Sequence, residues 1–141
     1  MHVAFALFAD AANLSQEGKL NILGVFDAVQ VMDTPAMHPR AHLVVRVKAS
    51  AADVGRHRVT LRWIGPDHQE LWGSDGDLDV GPLPPGAPEI DMPMIASLDL
   101  PLPVAGSYTM QIAVDGTPAT EVTLDVHTAA RMVPSVSGMM S

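Results

Sequence analysis

From Arg56 to Trp63 the side chains alternate without a break. One face carries His57, Val59, Leu61 and Trp63, the other Arg56, Arg58, Thr60 and Arg62. A period of two belongs to a β-strand with one side in a core and the other in water, and no helix presents it. The pattern recurs along the chain. His42–Lys48 sets Leu43, Val45 and Val47 inward against His42, Val44, Arg46 and Lys48. Tyr108, Met110, Ile112 and Val114 share one face of the next such run, and Val122, Leu124 and Val126 share one face of the last. Helix-like periodicity is scarce, and twelve prolines spread through 141 residues weigh against it further. The pattern predicts an all-β, antiparallel two-sheet sandwich of seven or eight strands, one domain over residues 1–127, with a Met- and Ser-rich tail over 128–141.

Turn chemistry punctuates these runs at Gly65-Pro66-Asp67, Ser74-Asp75-Gly76, Pro84-Pro85-Gly86 and Asp115-Gly116. The Asp-Gly pair between two alternating runs is the strongest hairpin signal, with Thr117-Pro118 expected to lengthen its loop. Pro93, Pro101 and Pro103 flank a strand from Met94 to Leu100 and place it at a sheet edge.

Two segments are apolar on both faces. Val3–Ala9 is one. In Leu20–Val31, Leu20, Ile22, Phe26 and Ala28 lie on one side and Leu23, Val25, Val29 and Val31 on the other. A strand of this kind needs cover on both sides. Either a bulge at Gly24 switches faces midway, or a second subunit supplies the cover.

Bulk composition narrows the function classes. Hydrophobic residues make up 48% of the chain and charged residues 17%, too apolar for a disordered polymer. There is no cysteine, so thiolate metal sites, thiol nucleophiles and disulfides are excluded, and a reducing compartment fits. Residues 1–62 hold seven Lys and Arg against five acids, whereas residues 63–141 hold Arg131 alone against eleven. An acidic domain repels phosphate backbones, so nucleic acid is not an expected partner. The short apolar opening has no basic residue before it and ends at Asp10, which reads as a first strand rather than a signal peptide. No run is long enough for a membrane helix. A soluble cytoplasmic protein without a membrane partner is the expectation.

Few side chains suggest chemistry. Pairing of the two charged strands would collect Arg46, Lys48, Arg56, Arg58 and Arg62 into a basic patch for an anionic ligand or acidic partner. The alternative sets Asp75, Asp77 and Asp79 across from the arginines as cross-strand ion pairs. The same three carboxylates also admit a calcium reading, although the helix-loop-helix calcium motif is not met. Six histidines show no ligand spacing. No nucleophile elbow, phosphate loop or acid/base carboxylate pair is present, so no catalytic residue, metal ligand or cofactor site is assigned. Trp63 falls on the core face of its strand. Trp72 is either a platform for a sugar or partner or a further core residue.

Gly106-Ser-Tyr108 before an alternating strand resembles the Gly-x-Tyr strand entry of immunoglobulin-like sandwiches, with Met110 where antibody domains carry a cysteine. The resemblance implies a tyrosine capping the core and bonding nearby backbone. Phe8-Ala-Asp10-Ala-Ala-Asn13, followed by Gly18-Lys19-Leu-Asn-Ile-Leu-Gly24, resembles an uncharacterised bacterial family of small β-sandwich domains of unknown function. That resemblance implies a fold and no activity. Within its stretch Asp10, Asn13 and Lys19 mark either a ligand contact or a hydrogen-bonded turn fixing the register of the first two strands. The function expected is a non-enzymatic binding or structural module acting on a protein partner, either another protein or a second copy of itself, with Arg46, Arg58, Arg62 and Trp72 as candidate surface. A module for a small ligand or carbohydrate is the alternative.

Overall fold

In the computed structural model, which describes residues 1–129, nine strands form two sheets. They are β1 (His2–Leu14), β2 (Leu20–Phe26), β3 (Ala28–Val31), β4 (Ala36–Ala49), β5 (Gly55–Ile64), β6 (Glu70–Val80), β7 (Ile90–Leu102), β8 (Gly106–Val114) and β9 (Thr117–Thr128). A single 3₁₀ turn at Ala51–Asp53 joins β4 to β5. One sheet has the order β2-β1-β4-β7 and the other β3-β9-β8-β5-β6. Every pairing is antiparallel except that of β3 with β9. The arrangement is consistent with an immunoglobulin-like sandwich. The tail expected beyond residue 127 lies outside the described residues after Ala129.

The alternating positions meet between the sheets. Leu43, Val45 and Val47 from β4 pack against Val59, Leu61 and Trp63 from β5, with Tyr108, Met110, Ile112 and Leu124 closing the layer. Trp63 stacks on Tyr108 at 5.3 Å between ring centroids and meets the edge of Phe8 at 5.9 Å. Both polar handles of this cluster are satisfied. The Trp63 indole N–H donates to the Pro101 carbonyl at 3.0 Å. The Tyr108 hydroxyl donates to the Val104 carbonyl at 2.6 Å and accepts the Val104 N–H at 3.1 Å.

Four expectations need correction. The strand count is nine because Leu20–Val31 is two strands of different sheets: the chain turns at Asp27, and Val29 and Val31 return to the core beside β9. The Asp115-Gly116 hairpin is tight, since Val114 pairs directly with Thr117 and both turn residues have the positive φ (51° and 80°) of a type I′ turn. Pro118 is absorbed instead by a register shift inside β9, where Ala113 pairs with Pro118 and Ile112 with Thr120. Ser74-Asp75-Gly76 continues β6 opposite Val59–Leu61, and the Asp75 carboxylate accepts the Thr60 hydroxyl at 2.8 Å. β7 does lie at a sheet edge, which tolerates the prolines within it.

Candidate association surface

The segment with two apolar faces builds an arm. β1 outruns its β4 partner after Ala9 and continues with β2 alone, from Ala11 opposite Leu23 to Leu14 opposite Leu20. A turn closes the hairpin: Ser15 N–H donates to the Lys19 carbonyl at 2.8 Å, Gly18 N–H to the Ser15 carbonyl, and Lys19 N–H to Ser15 Oγ. Asn21 donates across the strands to the Asn13 side chain at 3.0 Å.

At the base of the arm Gly24 has φ +69°, and the Asp10 side chain lies over it so closely that a Cβ there would collide with the carboxylate. This pair is missing from an otherwise continuous ladder, so the hairpin is kinked here without gaining a residue. The kink turns the arm across the outer face of the four-stranded sheet. Glu17, Lys19, Leu20 and Ile22 line a cleft of about 480 Å³ together with Phe5, Arg46, Asp91 and Pro93 of that face. Val44 and Ala9 point to the same outer face and are fully buried, although neither belongs to the core between the sheets. The doubly apolar strand is thus covered on its second side largely by its own hairpin.

The cover has an apolar back. Leu20 and Ile22 are half-buried, but Leu23 and Val25 are 71% and 60% exposed. β2 contains no charged residue and forms an edge of its sheet, with no other described strand pairing on its outer side. An uncharged apolar edge strand is a template for pairing with another chain, and native proteins normally blunt such edges.

The charged residues fall elsewhere. β4 and β5 belong to different sheets, so the joint basic patch does not form. Arg46 lies on the outer face of the four-stranded sheet, where its guanidinium and the Lys48 ammonium both reach Asp91 on β7 at 2.7 Å. These two cations hold the Asp91 carboxyl down at a pKa of about 2. On the other sheet Arg56 meets Asp79 at 3.3 Å, Arg58 meets Asp75 at 3.8 Å and Arg62 meets Glu70 at 3.7 Å, all across β5 and β6. Exposed pairs of this kind add little stability, but they leave none of these three arginines without a nearby carboxylate. Trp72 faces inward on β6 opposite Trp63, half-buried against the core, and its buried indole N–H has no hydrogen-bond partner among the described residues. Arg46, the Arg58 and Arg62 pair, and Trp72 therefore occupy three separate surfaces.

Asp10, Asn13 and Lys19 do gather on the arm, though not in one turn. Asp10 and Asn13 are strand residues, at the kink and in the cross-strand amide pair, and only Lys19 belongs to the turn, 3.7 Å from Glu17. The arm as a folded-back element had one signal in the sequence, a glycine interrupting an otherwise two-faced strand.

A model for a family of unknown function, DUF6941, matches residues 4–127, from the start of β1 almost to the end of β9. The chain belongs to that family. The DUF6941 domain is also similar to the crystal structure of an immunoglobulin-like protein from Pseudomonas aeruginosa, with 17% identity over 88% of this chain and 98% of the other and a TM-score of 0.38. No curated protein matches it. Among the described residues no group of three or more His, Asp or Glu side chains is placed to hold a metal ion. No helix among the described residues is long and apolar enough to cross a membrane.

Proposed function

We propose that this domain is a non-enzymatic association module whose contact surface is the back and free edge of the β1–β2 arm, and that its first partner is a second copy of the same chain. The observation that carries the reading is the exposure of Leu23 and Val25 side by side on an uncharged edge strand. Edge backbone groups and apolar side chains together give a surface that another strand can complete. A copy of the same strand suits it because no charge on either edge opposes the pairing, and a two-fold contact joins the same patch on both molecules. A chain without cysteine fits a cytoplasmic setting.

Sedimentation equilibrium or light scattering tests this. The unmodified chain is expected to form a dimer or larger species in the micromolar range. The double substitution Leu23→Lys, Val25→Lys should give a folded monomer, since both side chains already face solvent and the charges disturb only an associated state. A monomeric parent chain, or an oligomer indifferent to the two lysines, overturns the proposal.

A further inference from the structure

At the opposite end of the sandwich from the arm, His57 at the start of β5 has an oxygen acceptor at each ring nitrogen. Nδ1 lies 2.6 Å from the carboxylate of Asp115 in the β8–β9 turn, and Nε2 lies 2.6 Å from the carbonyl of Asp53 in the 3₁₀ turn. A neutral imidazole has one N–H and can donate to only one of these oxygens, leaving a lone pair facing a lone pair at the other. The doubly protonated ring donates to both. Its partner is fixed in turn: the second Asp115 oxygen accepts the Arg58 N–H at 2.9 Å, and the Asp115 N–H donates to the Arg58 carbonyl at 2.8 Å. The ring itself is only 18% exposed.

The surrounding charges are few. On the 3₁₀ turn, the Asp53 carboxylate accepts from Ser50 and meets the amino group of Met1 at 2.8 Å. From β1, His2 borders the same cleft of about 510 Å³ that His57, Asp53 and Asp115 line. From β6, the residue opposite His57 is the uncharged Leu78, and Arg56 and Arg58 project to the other face of β5. Among the described residues Asp115 is the one carboxylate in contact with the ring.

We propose that His57 is a proton-operated latch that ties the β4–β5 connection to the β8–β9 turn, and that loss of its proton frees one of the two turns and loosens the cleft between them. The latch stands independently of association through the arm. Direction and geometry agree: hydrogen bonding to Asp115, and then to the Asp53 backbone, raises the His57 pKa against the opposing effect of burial. A group whose pKa is raised on folding contributes its stabilisation fully below the ordinary histidine value. That contribution is lost as pH rises through the folded value.

The test is an NMR titration of the full chain, reading the His57 ring and the exchange of backbone amides around Asp53–Gly55 and Asp115–Thr117. His57 is expected to titrate above an ordinary histidine, with amide exchange in at least one of the two regions rising severalfold beyond its intrinsic pH dependence at the same midpoint. In Asp115→Asn the midpoint should fall and the exchange step move with it; in His57→Gln the step should vanish. A ring that titrates at or below the ordinary value contradicts the latch, as does an exchange step that persists in His57→Gln.

Discussion

Trp63 and Trp72 stand opposite each other on β5 and β6, yet their indole nitrogens have different fates. The Trp63 N–H finds the Pro101 carbonyl; the Trp72 N–H is buried and finds no partner among the described residues. A hydrogen bond adds about 1 kcal/mol net, whereas a buried donor left unpaired costs about 1–3 kcal/mol. Replacing each by phenylalanine therefore separates them. Trp63→Phe strips the Pro101 carbonyl of its donor and leaves a void under Tyr108, for an expected loss of about 2–4 kcal/mol in urea unfolding. Trp72→Phe removes the unpaired donor and should stay within about 1 kcal/mol of the parent. Equal losses would show that Trp72 is as much a core residue as Trp63. The sequence marks Trp63 as core by its place in an unbroken alternation. It leaves Trp72 ambiguous, because β6 carries glycines and carboxylates where a core strand would carry branched side chains.

Strands that alternate cleanly are legible from their residues, since one wet face and one dry face admit a single placement. That holds for β4, β5, β8 and β9, whose inward residues supply most of the core, although Val44, which the alternation sets outward, is buried as well on the outer face. The two-faced run was legible only as a problem. Its solution depends on where the chain turns, at Asp27 into the other sheet and at Gly24 into the arm, and neither turn carries strong local chemistry. Sheet membership was equally hidden: β4 and β5 alternate alike, and the short crossing at Ala51–Asp53 that parts them looks no different from a hairpin loop. Gly24 gives the arm its test. Gly24→Ala adds a Cβ that meets Asp10, with the Asp10 Cγ 2.9 Å away, and forces a left-handed backbone costing about 1–2 kcal/mol on a side-chain-bearing residue. Asp10→Ala in the same chain should relieve the collision and leave the backbone cost, so the double variant is expected to be more stable than Gly24→Ala alone. Additive effects in a double-mutant cycle would show that the kink does not depend on this contact.

Over the whole molecule, two sheets enclose a dry core with satisfied polar handles at Trp63 and Tyr108, while Arg46, Lys48, Arg56, Arg58 and Arg62 each meet a carboxylate and acids stay in excess, for a net charge of −8. Apart from this charged surface, Leu23 and Val25 leave an exposed apolar stretch along β2. The proposed contact with another chain follows from that strand, whose exposed apolar side chains water does not favour and whose edge is open to pairing. Hydrogen–deuterium exchange of the unmodified chain at low-micromolar and at high-micromolar concentration tests that claim at the strand itself. Amides of Leu20–Phe26 should exchange more slowly at the higher concentration while those of β6, the edge strand of the other sheet, do not change. Exchange along β2 that is the same at both concentrations, or protection that appears on β6 instead, would contradict association through the arm.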